Sequence, residues 1–301
     1  MESKVDLLQH RLRHLKMTMD PSLRAVWVEF KYNGRPCFTP ELLEDVWAAQ
    51  RSIRQTVLSG YQQAQCDRLL FQVVASTDSR AFSLGGDLTY FIKLIEAGDH
   101  EGLRKYAKTC IDIQYATVTH YDTPFTTIAL VEGEALGGGF EAALSANLLI
   151  AEPQARFGFP EISFGMFPGM GALSLLAHRV TPSTARKLIM DHRIYTAEEL
   201  YELGVVDILA AKGNGREVTA DYMRRHIGLV AGLQGFQAAV DRVYPVDYEE
   251  LTDVIEFWVE SALHLNDRNK RLMAYFARAQ LSRSNSPDKH STSSAYTIVS
   301  S

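Results

Sequence analysis

Short apolar runs and amphipathic stretches alternate along the chain. Residues 24–30 (Arg-Ala-Val-Trp-Val-Glu-Phe) are rich in β-branched and aromatic side chains and predict a strand. Thr39 predicts a cap for a helix starting at Pro40, whose Leu42, Leu43, Val46 and Trp47 fall at helical spacing. Residues 68–76 predict a buried strand, 88–96 a helix capped by Asp87, and 100–119 a long amphipathic helix. Residues 126–131 and 147–151 predict two more strands, separated by a glycine-rich connection (132–139) and a helical stretch (140–146). Residues 1–20 carry Leu7, Leu8, Leu12 and Leu15 at helix-like spacing, with few capping residues.

Strand, glycine-rich turn, helix and strand thus recur, which argues for one α/β core and not separate all-α and all-β domains. No fixed-period sequence repeat accompanies this order. The pattern changes at the turn cluster Lys212-Gly213-Asn214-Gly215. Residues 217–281 are mostly helical in pattern, with Trp258, Val259, Leu263, Leu272 and Phe276 in apolar stripes. The expected division is an N-terminal segment (1–20), a core (21–215), a helical region (216–281) and a disordered, Ser-rich tail (282–301).

With 301 residues and 46% apolar content, the chain has enough material for a large core. Its 31 basic and 36 acidic residues give a net charge of −5, so nothing draws it to nucleic acid or an anionic membrane. Cys37, Cys66 and Cys110 are too scattered for a disulfide framework or a Cys-x-x-Cys metal site, and read as free thiols. The N-terminus lacks the apolar core of a signal peptide, and no uncharged apolar run is long enough to span a membrane. The expected location is the cytoplasm. The nine histidines show no ligand spacing, so no metal is expected; His120 and His178 read as structural residues.

Three segments carry the candidate chemistry. Gly85-Gly86-Asp87 follows a strand, and glycine there leaves backbone amides uncovered. Gly137-Gly138-Gly139-Phe140-Glu141 lies at a strand-to-helix junction, where free amides favour developing negative charge. One amide from each segment would make an oxyanion hole. The third segment, Phe159-Pro160-Glu161, places a second carboxyl in apolar company. Such carboxyls hold their protons towards neutral pH, and two in unlike surroundings can divide acid and base work. Singly, each element has a plainer meaning. Glu141 fits the first turn of any helix, Pro160-Glu161 any helix start, and the glycine triplet any tight packing.

In combination and order these segments resemble the crotonase (enoyl-CoA hydratase/isomerase) superfamily. Residues 82–87 are similar to its first oxyanion loop, Gly137 to Glu141 to its glycine-rich turn, and Pro160-Glu161 and Pro168-Gly169-Met170-Gly171 to its later elements. The resemblance implies a spiral of repeated ββα units with a C-terminal helical region. It implies that the amides of Gly86 and Gly138 hold a thioester oxygen while Glu141 and Glu161 face the acyl C2–C3 bond. It also implies an acyl pocket, for which Gly85, Met170, Trp258, Leu272 and Phe276 are candidates; apart from Gly85 they otherwise read as ordinary core. No cofactor is implied.

Segments 34–38, 84–88, 135–144, 167–172, 258–259 and 278–280 further resemble bacterial diffusible-signal-factor synthases. These dehydrate a 3-hydroxyacyl-(acyl carrier protein) and hydrolyse the thioester, releasing a cis-2-unsaturated fatty acid used in quorum sensing. That resemblance implies a carrier-protein partner, contact with a sensor kinase, and assembly as a homotrimer or dimer of trimers. The alternatives are a CoA-dependent hydratase or isomerase and a non-catalytic regulator-binding protein. Gly169-x-Gly171 is half a dinucleotide fingerprint, but Ser174 stands at the third position and Pro168 spoils the preceding strand. No Gly-x-Ser-x-Gly elbow occurs.

Overall fold

The computed structural model describes residues 12–63, 68–123 and 125–282. Its strands are β1 (Leu15–Asp20), β2 (Ala25–Phe30), β3 (Phe71–Ser76), β4 (Ala81–Ser83), β5 (Thr126–Val131), β6 (Glu134–Leu136), β7 (Leu148–Ala151), β8 (Arg156–Gly158), β9 (Tyr195–Thr196) and β10 (Ile208–Leu209). They form a six-stranded sheet, β1-β2-β3-β5-β7-β10, and a four-stranded sheet, β4-β6-β8-β9. Each pair β3–β4, β5–β6 and β7–β8 passes from the large sheet to the small one; helices return the chain after the first two pairs, while after the third the chain adds β9, antiparallel to β8, before β10 joins the large sheet. Three ββα turns therefore stack in a spiral. Their registers are parallel: Phe71 faces Thr126 and Ile128 faces Leu148 in the large sheet, while Ala81 faces Glu134 and Glu134 faces Arg156 in the small one.

Side-chain chemistry explains the layering. Parallel strands with both faces covered carry continuous apolar runs. In β5 and β7, Ala129, Val131, Leu149 and Ala151 point into the main core, while Ile128, Leu130 and Ile150 point the other way. That second face packs against Ala220 and Met223 of the helix Gly215–His226.

Two expectations need correction. Residues 15–20 are not helical: they form β1, antiparallel to β2, with Leu15 opposite Phe30. Leu15 and Met17 are buried while Lys16 and Thr18 are exposed, and this period of two outweighs the upstream leucine spacing. The connection 132–139 contains β6. Residues 1–11, Cys66 and residues 283–301 lie outside the described residues; Ser282, assigned to the tail, ends the last helix. Among the described residues, no helix is long and apolar enough to cross a membrane, and Cys37 and Cys110 are free and buried.

The helical region comprises Gly215–His226, Val230–Val243, Tyr248–Leu263 and Asp267–Ser282. Its first helix lacks a side-chain cap from Asn214. Glu152, just beyond β7 and buried, supplies one: its carboxylate accepts from the amides of Gly215 (2.7 Å) and Gly213 (2.9 Å). A negative group at a helix start satisfies unpaired amides and opposes the positive end of the dipole. Glu152→Ala is expected to lower stability by about 2–3 kcal/mol, since it removes the carboxylate that accepts from both amides and from the Gln154 side chain. Urea denaturation should show this as a lower midpoint at unchanged slope.

Candidate active site

The site forms where two glycine loops meet. Gly85 has φ +87, and a β-carbon there would lie 2.9 Å from the Leu136 carbonyl oxygen and 3.0 Å from the Gly138 nitrogen. Only glycine permits that approach in that conformation. The Gly85 carbonyl accepts from the Phe38 amide at 2.8 Å. In a trans peptide the carbonyl and the following N–H point in opposite directions, so the Gly86 N–H turns away from Phe38. The Gly86 nitrogen lies 3.5 Å from the position a Gly138 β-carbon would take. Gly138 opens the helix Gly138–Leu144, so its amide has no partner within the helix. Among the described residues, neither amide has a backbone acceptor outside the regular elements.

The segments flanking residues 85–86 are pinned as well. Arg35 makes a two-pronged ion pair with Asp87, both contacts at 2.8 Å, and Asp87 also caps the helix Leu88–Ala97 through the Tyr90 amide. The Leu84 amide donates to the Pro36 carbonyl. Segment 34–38 therefore serves as a brace for the loop.

Glu141 sits in the first turn of its helix and is 1% exposed. Its Oε1 accepts from the amides of Met170 (2.8 Å) and Ala172 (3.1 Å). The run Pro168-Gly169-Met170-Gly171 delivers both amides, with Gly171 in the left-handed region just ahead of the helix Ala172–Ala177. Burial raises the Glu141 pKa to about 7, against the pull of those two hydrogen bonds. Glu161 follows Pro160 in the single 3-10 turn Glu161–Phe164. Its Oε2 is buried and has no hydrogen-bond partner. Burial raises its pKa to about 8, with the Glu141 charge adding to the effect. Both carboxyls are thus raised towards neutral pH, which allows one member to donate while the other accepts.

Both carboxyls line one cavity, together with Gly86, Gly138, Met170, Trp258 and Phe276. The walls are otherwise largely apolar. Two pocket expectations fall elsewhere. Gly85 stands behind the cavity wall, where it holds the loop crossing. Leu272 does not line the cavity; Met273 does. The buried face of the helix Asp267–Ser282 is Met273, Phe276, Ala277 and Gln280, and Leu272 falls outside it. Cys110 also lines the cavity, but burial pushes its thiol well above the usual range, so it remains protonated and a poor nucleophile.

Gln114, Arg35 and Gln280 were not singled out as site residues by the sequence reading. Gln114 lines the cavity, and its buried Oε1 has no partner. A signal existed: in the helix His100–Val118 it occupies a core register with Leu103, Ala107, Cys110 and Ile111. Among the described residues, no group of three His, Cys, Asp or Glu side chains could hold a metal.

An α/β spiral with free amides and two paired carboxyls around a largely apolar cavity defines a class of protein suited to polarising an acyl carbonyl. The enoyl-CoA hydratase/isomerase family model matches residues 48–242, and the chain belongs to that family. It is 26% identical over 186 residues to a crotonyl-CoA hydratase of Syntrophomonas wolfei, covering 58% of this chain and 68% of that protein. It is 31% identical over 151 residues to a peroxisomal bifunctional enzyme of Cavia porcellus, covering 50% of this chain and 19% of that one. The chain thus spans about a fifth of that relative's length. Among solved structures, an enoyl-CoA hydratase/isomerase from Xanthobacter autotrophicus superposes with a TM-score of 0.71 at 21% identity, covering 92% of this chain and 99% of that one. DspI of Pseudomonas aeruginosa superposes with a TM-score of 0.55 at 23% identity, covering 88% and 96%. These likenesses establish the crotonase fold.

Proposed function

We propose that the chain interconverts 3-hydroxyacyl and 2-enoyl thioesters. The observation that carries this reading is the pair of carboxyls, Glu141 buried and Glu161 half-buried, both raised towards neutral pH and lining one cavity with Gly86 and Gly138. The thioester oxygen accepts from the two amides, which stabilises the enolate-like charge formed when C2 loses its proton. One glutamate takes that proton and the other protonates the departing 3-hydroxyl, so the bond to C3 breaks as water leaves. Hydration runs the same steps in reverse. The acyl tail lies along Met170, Trp258 and Phe276.

A finer reading, release of a cis-2-unsaturated acid from a 3-hydroxyacyl-(acyl carrier protein), rests on the resemblance to signal synthases. Segments 34–38 and 278–280, which support the resemblance to signal synthases, both grip the Gly86 loop. In this reading a water activated by one glutamate hydrolyses the thioester after dehydration. A carrier protein as donor, a sensor-kinase contact and a homotrimer belong to the same proposal. The exposed Leu229, Phe236, Val243, Tyr244 and Phe257 supply apolar surface for such assembly.

Matched 3-hydroxyacyl-CoA and 3-hydroxyacyl-carrier-protein substrates separate the readings. Free unsaturated acid, formed faster from the carrier protein, is expected for the synthase. Accumulation of an intact enoyl-CoA would leave only the hydratase reading, and no turnover of either substrate would reject both.

A further inference from the structure

The loop that carries Gly86 is also gripped from the far end of the chain. Gln280 is 1% exposed and lies near the end of the helix Asp267–Ser282. Its Nε2 donates to the Leu84 and Gly86 carbonyls, both at 3.0 Å. Its Oε1 accepts from the Leu88 amide at 3.4 Å. A primary amide has two N–H donors, and here both go to carbonyls on either side of Gly85.

The geometry of those bonds matters for the amide facing the cavity. The Leu84 carbonyl fixes the peptide before Gly85, and the Gly86 carbonyl fixes the peptide after Gly86. The Phe38 amide holds the peptide between them. Two adjacent glycines would otherwise give this loop wide backbone freedom. With all three peptide planes held, the direction of the Gly86 N–H is set before any ligand arrives, as electrostatic stabilisation of a developing charge requires.

The same helix touches the rest of the cavity. Met273 and Phe276 line it, and Phe276 lies one turn before Gln280 on the same face. The Phe276 ring also meets that of Phe164, 5.4 Å between centroids, in the turn that carries Glu161. One rigid helix therefore joins the wall of the acyl pocket to the peptide that would hold the thioester oxygen.

We infer that Gln280 is a positioning residue. It aims the Gly86 amide and, through the helix it shares with Met273 and Phe276, couples the fit of the acyl tail to the grip on the thioester oxygen. This inference rests on the thioester reading of the cavity. It implies that acyl-chain preference is expressed in kcat more than in KM.

The test uses the full chain with two substitutions. Gln280→Met keeps length and bulk but loses the amide. Gln280→Glu keeps the shape but places a carboxylate oxygen where Nε2 donates, and it serves if the first variant fails to fold. Both are assayed on acyl thioesters of graded chain length, with thermal melting alongside. The expected result is a fall in kcat of about 10- to 100-fold on the preferred chain length, the scale of a misplaced reacting geometry. KM should change by less than about threefold, because ground-state binding by the pocket is retained. The preference among chain lengths in kcat should flatten. Native kcat in a folded variant, or a loss that only follows the folded fraction, overturns the positioning role. A lowered kcat with the length preference intact overturns the coupling. Absence of turnover by the native chain on every thioester removes the underlying reading, whereas native turnover with unaffected variants removes the inference alone.

Discussion

Replacing Glu161 with Gln is expected to lower kcat for enoyl–hydroxyacyl interconversion by about 10²–10⁴-fold, the usual range for a lost general acid or base. Glu141→Gln should fall in the same range. The double variant should be little worse than either single one, because the two carboxyls act as a unit. The native pH–rate profile should be narrow, with limbs near 7 and 8 that belong to the pair. The same substitution has an opposite effect on stability. Folded Glu161 keeps its proton up to about pH 8, while in the unfolded chain it titrates near the ordinary carboxyl value of 4.5. Between those pH values the folded state binds the extra proton, so this group's contribution to stability is full below the window and is lost as pH rises through it. Gln carries no charge to desolvate. Glu161→Gln should therefore melt higher than the native chain at pH 8–9, with the gain shrinking towards pH 4. Equal kcat in native chain and variant, both folded, would end the acid–base assignment.

Gly137→Ala is expected to lower activity and the melting temperature together. Gly137 has φ +52 and ψ −126, a region that residues with a β-carbon rarely enter. The added methyl would lie 2.2 Å from Glu161 Oε1, so either the carboxyl or the loop must move. Backbone strain alone costs about 1–3 kcal/mol. Displacement of Glu161 should reduce turnover to the level of the Glu161→Gln variant. Gly232→Ala provides the control. Gly232 lies in the helix Val230–Val243, and nothing stands within 4 Å of the site for its β-carbon. That variant should keep full activity and gain about 0.5–1 kcal/mol of stability. Comparable activity in the two variants would mean that the close approach of Gly137 to Glu161 has no part in turnover.

Much of this arrangement was legible in residue order because its chemistry is local. The Thr39 and Asp87 caps, the strands around residues 25–30 and 71–76, and the long helix His100–Val118 follow from propensity and period within one window. The convergence of Gly86 with Gly138, and of Glu141 with Glu161, is not a property of any one window. It was reached through resemblance, and the spiral connection of two sheets supplies the physical reason. The remaining misreadings have small causes. β1 was obscured because the leucines before it fall at helical spacing, while its own signal is Leu15 and Met17 alternating with polar residues. β6 has three residues between glycines and looks like a turn. Leu272 and Met273 are adjacent apolar residues, and only the packing of the last helix decides which one faces inward. Gln280 is a polar residue in an otherwise helical surface pattern, and its partners lie nearly two hundred positions earlier.

The two candidate functions of the cavity are encoded differently. The donors at Gly86 and Gly138 belong to the main chain, so among the twenty amino acids only proline at those positions would delete them outright. The carboxyls at 141 and 161 are side chains, each open to replacement by a single codon change. Under the proposed thioester chemistry, a lineage built on this scaffold can therefore lose or exchange its proton-transfer groups while the cradle for the acyl oxygen persists. New reactions on the same kind of thioester would then begin from an enzyme that already grips its substrate.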